Sequence, residues 1–501
     1  MVIFTSAPDK EISPHDGSPS TQNDPLFSYK VQLETRIRKD HPLRKIKELV
    51  DFDFIYKEVE KTYGTNGNVS VPPPVILKLM LLLVLYNVRS ERELMDTLPE
   101  RLDWLWFLGY TMESSIPDHS VLSKARTRWG SGTFRRFFER IVSRCVEEGM
   151  VDGTKVFVDA SYIDANASNN SVVKKDSLAR YLRKGYEEFE RRLGDEGSPG
   201  EVNMRHVSMT DPDASIVAQG TKPKLTHKTH RTVDAAHEVI TAVEVTPGAV
   251  NEAHRMLPLI NQHDTTTGAT AKTVVADSKY GTIENYLACH QRGVAAHIPL
   301  LKRTHEGKGR KKGIFPEEAF TYDPTTDTMI CPAGKRLKKR TFHVLKQSTE
   351  YIGSKKECGA CRLRPKCTRN PLGRSVHRHR LKETLDVMLL ELASHAARAD
   401  MATRKHLMER SFARSTRFGF DRARWRGLWK MAVQEYLVSA IQNIETLIRY
   451  GRRPTKGLGT APFTSLGRVV WVYMKRYLLP QRSRAMMSCF MAPGRSEVAG
   501  A

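Results

Sequence analysis

The stretch VDGTKVFVDASYIDANASNN, residues 151–170, decides which kind of fold this chain adopts. Asp152-Gly153 predicts a tight turn, and the three apolar residues 156–158 predict a short strand that is apolar on both faces. Asp159 follows directly. An unpaired carboxylate in such a place costs several kcal/mol or becomes protonated. A metal ion, a turn or an ion pair would each offset that cost, and the rest of the sequence has to decide between them.

A second stretch, TVVADSKYG at residues 273–281, repeats the pattern. Small apolar residues run straight into Asp277, and in α/β sheets chemistry gathers where strands end at the carboxyl edge. The alternative is that Asp277 caps the following helix. Thr282 stands closer to the predicted start of that helix, which favours a functional role for Asp277.

The surrounding segments predict a mixed α/β fold. Residues 229–245 read as a β-hairpin with its turn near 236–238, and residues 271–300 read as strand, loop, helix and strand. With the first strand they predict a mixed sheet covered by helices. Residues 40–150 and 381–450 have apolar residues at helical spacing. The apolar run 72–88 contains Lys78 and is shorter than the roughly 20 residues that a bilayer requires, so it predicts a buried helix. A charged segment, 176–200, predicts an inserted helix.

Charge and cysteine content restrict the partners and the compartment. Lys and Arg number 80 against 56 Asp and Glu, a formal net charge of +24, which favours a nucleic-acid partner because basic residues release counterions from phosphates. An odd number of cysteines, 7, suits a reducing cytoplasm better than a disulfide framework. The N-terminus has no basic region followed by an apolar core, so we expect a cytoplasmic protein that associates with the nucleoid when bound to DNA.

Several basic residues are candidates for DNA contact. A helix predicted after Pro117-Asp118 is rich in arginine and could dock on a DNA groove, although a merely solvated helix face is the alternative. Other basic residues follow in the C-terminal helical region, where holding phosphate and surface solvation are equal alternatives. The predicted DNA-binding residues are Lys124, Arg126, Arg128, Arg135, Arg136, Lys405, Arg414, Arg417, Arg422, Arg424 and Arg426.

Four cysteines cluster within a basic segment between residues 301 and 380. They are Cys331, Cys358, Cys361 and Cys367, and their thiolates could enclose a tetrahedral structural Zn²⁺. Only one Cys-x-x-Cys pair is present, so free thiols or a redox pair remain the alternatives.

Glu409, in RKHLMERSFARSTRFGF, is a carboxylate on a predicted helix, where a surface ion pair is the usual explanation. Its combination with two strand-end aspartates favours a different explanation, metal binding. Asp159, Asp277 and Glu409 form the oxygen-rich ligand set that suits two Mg²⁺ or Mn²⁺ ions. Two such ions about 4 Å apart stabilise both the attacking and the leaving oxygen of phosphoryl transfer. Double-stranded DNA is the matching substrate.

These motifs resemble the bacterial insertion-sequence transposases of the DDE class over residues 40–450. The resemblance rests on HPLRKIKELVDFDF and SIPDHSVLSKARTRWG near the N-terminus, on FVDASYIDANASN and VVADSKYGTIENY, and on the segment around Glu409. It implies a ribonuclease-H-like mixed sheet flanked by helices, with catalytic Asp159, Asp277 and Glu409. The family's third motif has a Tyr and an Arg before the Glu and a Lys after it, where this chain has Ala402, Lys405 and Thr416.

The resemblance also implies a domain order and an activity. We expect a leader at 1–39, a helical DNA-binding domain at 40–150, the first part of the catalytic core at 151–300, a cysteine-containing insertion at 301–380, core helices at 381–450 and a basic tail at 451–501. The expected activity is metal-dependent DNA cleavage and 3′-hydroxyl strand transfer by a homodimer on DNA. A nuclease on the same fold and an inactive DNA-binding protein are the alternatives.

Overall fold

The computed structural model describes residues 32–63, 71–174, 206–219, 222–300 and 313–451. The predicted leader up to residue 31, the inserted helix at 176–200, the basic loop before residue 313 and the tail after residue 451 lie outside these residues. The described helices are α1 Leu33–Arg36, α2 Pro42–Leu49, α3 Phe54–Val59, α4 Pro73–Leu85, α5 Glu91–Thr97, α6 Leu102–Leu108, α7 Ser120–Glu147, α8 Met256–Thr267, α9 Ile283–Gln291, α10 Lys355–Gly359, α11 Arg364–Cys367, α12 Lys382–Glu391, α13 His395–Thr416 and α14 Leu428–Tyr450.

The described strands are β1 Lys155–Asp164, β2 Val172–Lys174, β3 His206–Ser208, β4 Ser215–Gln219, β5 Lys222–Asp234, β6 Ile240–Pro247, β7 Thr273–Ala276, β8 Ala295–His297, β9 Thr321–Asp323, β10 Thr328–Ile330, β11 Arg336–His343, β12 Ser348–Ile352 and β13 Ser375–His379. The central sheet has the order β4-β5-β1-β7-β8, and β6 also pairs with β5. β1 is antiparallel to β5 and parallel to β7, and β7 is parallel to β8. The predicted ribonuclease-H-like mixed sheet is therefore confirmed.

The N-terminal helices form because their sequence suits both their ends and their surroundings. α4 begins at Pro73, where the missing N–H costs nothing, and it is apolar on all sides, so it is buried throughout. Ser90 caps α5 by accepting a hydrogen bond from the Glu93 backbone N–H. α7 kinks at Gly130, whose φ of 67° is readily adopted only by glycine.

Helices cover both faces of the central sheet. On one face, side chains such as Phe157 and Val275 pack into a large core shared with α4, α7, α13 and α14. On the other face, Val156 and Val158 pack with α8, α9 and α12. The predicted helical region 40–150 is thus present, but its helices share one hydrophobic core with the sheet.

β5 and β6 form the predicted hairpin, and the parallel connection from β7 through α9 to β8 has the predicted order. α13 crosses the sheet and is fixed at its N-terminal half by Asp400. That carboxylate accepts hydrogen bonds from Lys155 Nζ at 2.8 Å and His297 Nδ1 at 2.7 Å. The cysteine-containing segment between β8 and α12 forms its own five-stranded antiparallel sheet, in the order β13-β12-β11-β10-β9.

A buried ion pair ties β5 to α13 and α14. Arg231 Nε donates to Glu435 Oε1 at 2.5 Å, and both side chains are fully buried. The Arg231 guanidinium lies against the rings of Phe412 and Phe420 and donates to Ser415 Oγ at 2.8 Å. Such a pair is stable only while both charges are present.

Candidate active site

Asp159 and Asp277 are brought together by strand register. Val158 of β1 pairs with Ala276 of β7 in the parallel ladder, so Asp159 and Asp277 are the next residues on two neighbouring strands. Strands lie roughly 4.8 Å apart. Asp159 lies within β1, which runs on to Asp164 instead of ending at residue 158 as predicted, and Asp277 follows the last residue of β7. The two aspartates predicted from sequence are therefore neighbours on adjacent strands, and together they form an acidic edge.

Asp159 lies in a largely buried position. Its Oδ1 accepts from the Ala160 backbone N–H at 2.8 Å, and its Oδ2 accepts from Arg404 Nη1 at 2.7 Å. Burial raises the pKa of the Asp159 carboxyl. Arg404 and the Ala160 N–H oppose this rise, and the charges of Asp277 and Glu252 add to it. An ion pair with α13 thus offsets part of the cost of this carboxylate in the absence of a metal.

Asp277 has a capping role, although the sequence favoured Thr282 as the capping residue. Thr282 caps α9, as expected, by accepting from the Asn285 N–H. Asp277 caps the short 3₁₀ turn Ser278–Tyr280, its Oδ1 accepting from the Lys279 N–H at 2.9 Å. Its other oxygen is not used in this cap. Asp164, the last residue of β1, instead pairs with Lys224 Nζ at 2.9 Å.

Glu252 is an acidic residue of this site that sequence reasoning missed. It lies in the 3₁₀ turn Glu252–Arg255 after β6 and is only 3% exposed. Its Oε1 is 3.0 Å from Lys228 Nζ and 2.9 Å from Lys279 Nζ, whereas its Oε2 has no hydrogen-bond partner. The sequence around Glu252 has no strand or helix periodicity, because Glu252 lies in the loop that follows an edge hairpin.

Tyr280 lies among these three carboxylates. Its hydroxyl is buried and lacks a hydrogen-bond partner. Burial raises the pKa of Tyr280 well above its ordinary value, and the charges of Glu252, Asp159 and Asp277 add to the rise. The site therefore contains a neutral phenol and two unsatisfied polar atoms, Tyr280 Oη and Glu252 Oε2, beside the acidic edge.

Glu409 is exposed on α13 and does not approach Asp159 as Arg404 does. The two residues are five positions apart, which places their side chains about 140° apart around an α-helix. The face of α13 on the sheet carries buried Met408, Ser411 and Ser415. Lys405, expected at the position of the family's arginine, is exposed, and its neighbour Arg404 makes the contact with Asp159. Within the described ranges, no group of three or more His, Cys, Asp or Glu side chains is placed to hold a metal ion.

Two predicted DNA-binding arginines have internal roles instead. Arg126 is 4% exposed, pairs with Glu91 at 2.5 Å and lies over the Trp425 ring. Arg424 donates to the Val88 carbonyl at 2.5 Å and to Asn87, and burial lowers its pKa. Both link the N-terminal helices to the loop before α14, and their contact with DNA stays a prediction.

The other predicted DNA-binding residues lie at or near the surface. Arg135, Arg136 and Arg417 are exposed but paired, with Glu139, Glu58 and Glu445 respectively. Arg414 is partly buried and donates to the Gln442 carbonyl and Thr446 at 3.4 Å. The exposed remainder are Lys124, Arg128, Lys405, Arg422 and Arg426.

The four clustered cysteines converge. Cys331, Cys358, Cys361 and Cys367 line one cavity of the small sheet, and all four are free thiols. They come from the end of β10, from α10, from the following turn and from α11.

The described helices include none that is long and apolar enough to cross a membrane. Two family models match the chain: a transposase domain (DUF772) over residues 31–128, and a transposase DDE domain over residues 330–448. The second match includes Glu409 but not Asp159 or Asp277. No curated protein matches the chain.

A cryo-EM structure of the piggyBac transposase synaptic complex with hairpin DNA is similar at 11% identity and a TM-score of 0.33. The similarity covers 88% of this chain and 83% of that one. The strands of the central sheet and the two aspartates lie between the two matched ranges. A transposase of this kind is a metal-dependent enzyme that cleaves and transfers DNA. The chain belongs to the insertion-sequence transposases of the DDE class.

Proposed function

We propose that Asp159 and Asp277 are the catalytic carboxylates with which this transposase cleaves DNA and joins a 3′-hydroxyl to target DNA. The observation that carries the proposal is the register of β1 and β7, which makes the two aspartates neighbours at one sheet edge. The burial of Asp159, which raises the pKa of its carboxyl, supports the proposal because a divalent cation would stabilise a carboxylate in this position, and the neighbouring charge of Asp277 adds to that rise.

The residues present suit a divalent cation. Carboxylate oxygens are hard ligands, and the unpartnered Glu252 Oε2 and the free oxygen of Asp277 are further donors beside Asp159. When bound, a pair of Mg²⁺ or Mn²⁺ ions would activate the attacking hydroxyl and stabilise the leaving 3′ oxygen. Asp159 and Asp277 would hold these ions, and Arg404 would have to release Asp159 first. No serine or tyrosine nucleophile is needed.

The third carboxylate has two candidates. The resemblance assigns it to Glu409, which lies within the match to the DDE domain. Glu252 is buried, contacts Lys279 two residues from Asp277 and keeps Oε2 without a hydrogen-bond partner, and this position favours Glu252 instead. If Glu409 is the ligand, α13 must rotate or shift to bring it to the aspartates.

The two assignments predict different results for matched amide variants. Asp159→Asn and Asp277→Asn should each reduce strand cleavage about 100-fold or more, because several kcal/mol of charge stabilisation are lost. Glu409→Gln should do the same if Glu409 is the ligand, with Glu252→Gln milder, and the order should reverse if Glu252 is the ligand. Wild-type activity in both Asp159→Asn and Asp277→Asn would overturn the proposal.

DNA is the partner, and we infer that its ends are bound by a homodimer. The net charge of +24 supports a polyanionic partner, and exposed basic residues such as Lys405 and Arg422 lie on the elements that carry the site. We also propose a bacterial origin and a cytoplasmic location, with nucleoid association when the protein is bound to DNA.

A strand-transfer assay with DNA from the borders of the chain's own coding region tests the activity. Joined product in Mg²⁺ or Mn²⁺ supports the transposase. Free ends without joined product would favour the nuclease. Specific binding without cleavage would favour the inactive DNA-binding protein.

A further inference from the structure

We propose that Cys331, Cys358, Cys361 and Cys367 bind one structural Zn²⁺ in the small five-stranded sheet between β8 and α12. The four thiols line a single cavity of about 30 Å³, room for one water-sized ion rather than a metal cluster. Four cysteine ligands are a common set for structural zinc, which is tetrahedral. This inference does not depend on the catalytic role of Asp159 and Asp277.

The turn at Cys331 is suited to hold a thiolate. Gly334, with φ of 74°, donates its N–H to the Cys331 carbonyl at 2.8 Å and closes a tight turn. The Lys335 N–H then points at Cys331 Sγ, 3.4 Å away. Hydrogen bonds of this kind from outside the ligand set orient metal ligands.

Two glycines leave the space in which Cys358 lies. A Cβ added at Gly353 would lie 2.8 Å from Cys358 Sγ, and one added at Gly373 would lie 3.4 Å from it. Gly373 also has φ of 115°, which disfavours other residues. Both positions therefore lie against the sulfur that faces the cavity, and any larger residue would push that thiol away from the other three.

The size of this small sheet explains why a metal would be useful. Its core has only five buried apolar residues, Phe320, Met329, Leu337, Tyr351 and Val376, with Cys331 and Cys367 packed against them. Units of fewer than about 80 residues seldom gain enough stability from such a core and use metals or disulfides. All four cysteines are free thiols here, which leaves a metal as the available cross-link.

The four cysteines line the cavity without yet forming a metal site. Within the described residues the thiols are not yet at metal-binding distance, so zinc binding requires side-chain rotations that draw them into the cavity.

The test uses the full chain, purified without added metal or chelator. Elemental analysis should find about one zinc per chain, and replacement by Co²⁺ should give the intense visible and thiolate charge-transfer bands of a tetrahedral sulfur site. Cys361→Ser should lower zinc content at least about fivefold. Cys289→Ala, which changes a buried cysteine outside the cluster, should leave it unchanged.

A zinc content below about 0.2 per chain after refolding with excess Zn²⁺ would overturn the proposal, as would full zinc retention in Cys361→Ser. If Cys361→Ser does not fold, the wild-type protein still decides. A site of four sulfurs predicts that a mercurial reagent, which binds thiolates in place of the metal, releases the zinc as about four cysteines become mercury-bound. Release of the zinc before any of these four cysteines has reacted would contradict it.

Discussion

A divalent cation held by Asp159 would compete with Arg404 for the same carboxylate oxygen, so removing Arg404 should strengthen metal binding. The Arg404 and Asp159 side chains are 18% and 21% exposed, and the bond between them is 2.7 Å long. A hydrogen bond between charged groups contributes about 1.5–3 kcal/mol, and partial exposure places this one near the lower limit. Since about 1.4 kcal/mol is a factor of ten, Arg404→Met should bind Mn²⁺ about tenfold more tightly.

The experiment is a calorimetric titration of DNA-free protein with Mn²⁺ at pH 8. The alkaline pH matters because loss of Arg404 also removes an interaction that lowers the pKa of Asp159, and a higher pKa would let protons compete at acidic pH. Arg410→Met is the matched control, since Arg410 lies on the same helix and pairs with Glu238 instead. Asp159→Asn in the Arg404→Met background should abolish the gain. Equal or weaker Mn²⁺ binding by Arg404→Met would refute the competition.

Three further predictions follow from the same contacts. Arg231→Met should lower the free energy of unfolding by about 3–5 kcal/mol in urea titrations, because it leaves Glu435 buried without a partner. The double variant Arg231→Met with Glu435→Leu should recover most of this lost stability. A fully additive loss in the double variant would contradict the pairing. Burial raises the pKa of folded Asp159, so the stability that its protonated form contributes is present at low pH and is lost as the pH rises through that pKa. Asp159→Asn should therefore have a higher melting temperature than the wild type at neutral pH and the same one in acid. A constant difference in melting temperature between pH 3 and pH 8 would exclude this origin. Lys405→Ala should weaken DNA binding in fluorescence anisotropy and reduce the slope of log affinity against log salt by about 1, whereas an unchanged slope would remove Lys405 from the DNA surface.

The sequence predicted the sheet and its two aspartates because both signals are local. An apolar run that ends in a carboxylate is visible at 156–159 and again at 274–277, and parallel pairing then makes the two ends adjacent. The hairpin of β5 and β6 and the buried α4 follow from period and composition in the same way.

The rest of the site depends on tertiary contacts. The rotation of α13 on the sheet decides which of its basic residues faces Asp159. Spacing in the sequence therefore could not tell whether Arg404 or the neighbouring Lys405 makes that contact. Glu252 lies in a loop whose sequence has no helical or strand periodicity. Arg126 resembles a DNA-binding residue in sequence, but the Trp425 ring and Glu91 that cover it are remote along the chain.

The core shared by α4, α7, α14 and the central sheet restricts how this enzyme can handle DNA. Parts joined by a thin linker can pivot independently, but parts that bury one continuous apolar core cannot without breaking it. The N-terminal helices therefore keep a fixed position relative to the acidic edge of the sheet. If they recognise DNA, as predicted, the bound sequence would lie at a set distance and angle from the cleaved bond, and any mismatch would be absorbed by bending or twisting of the DNA itself.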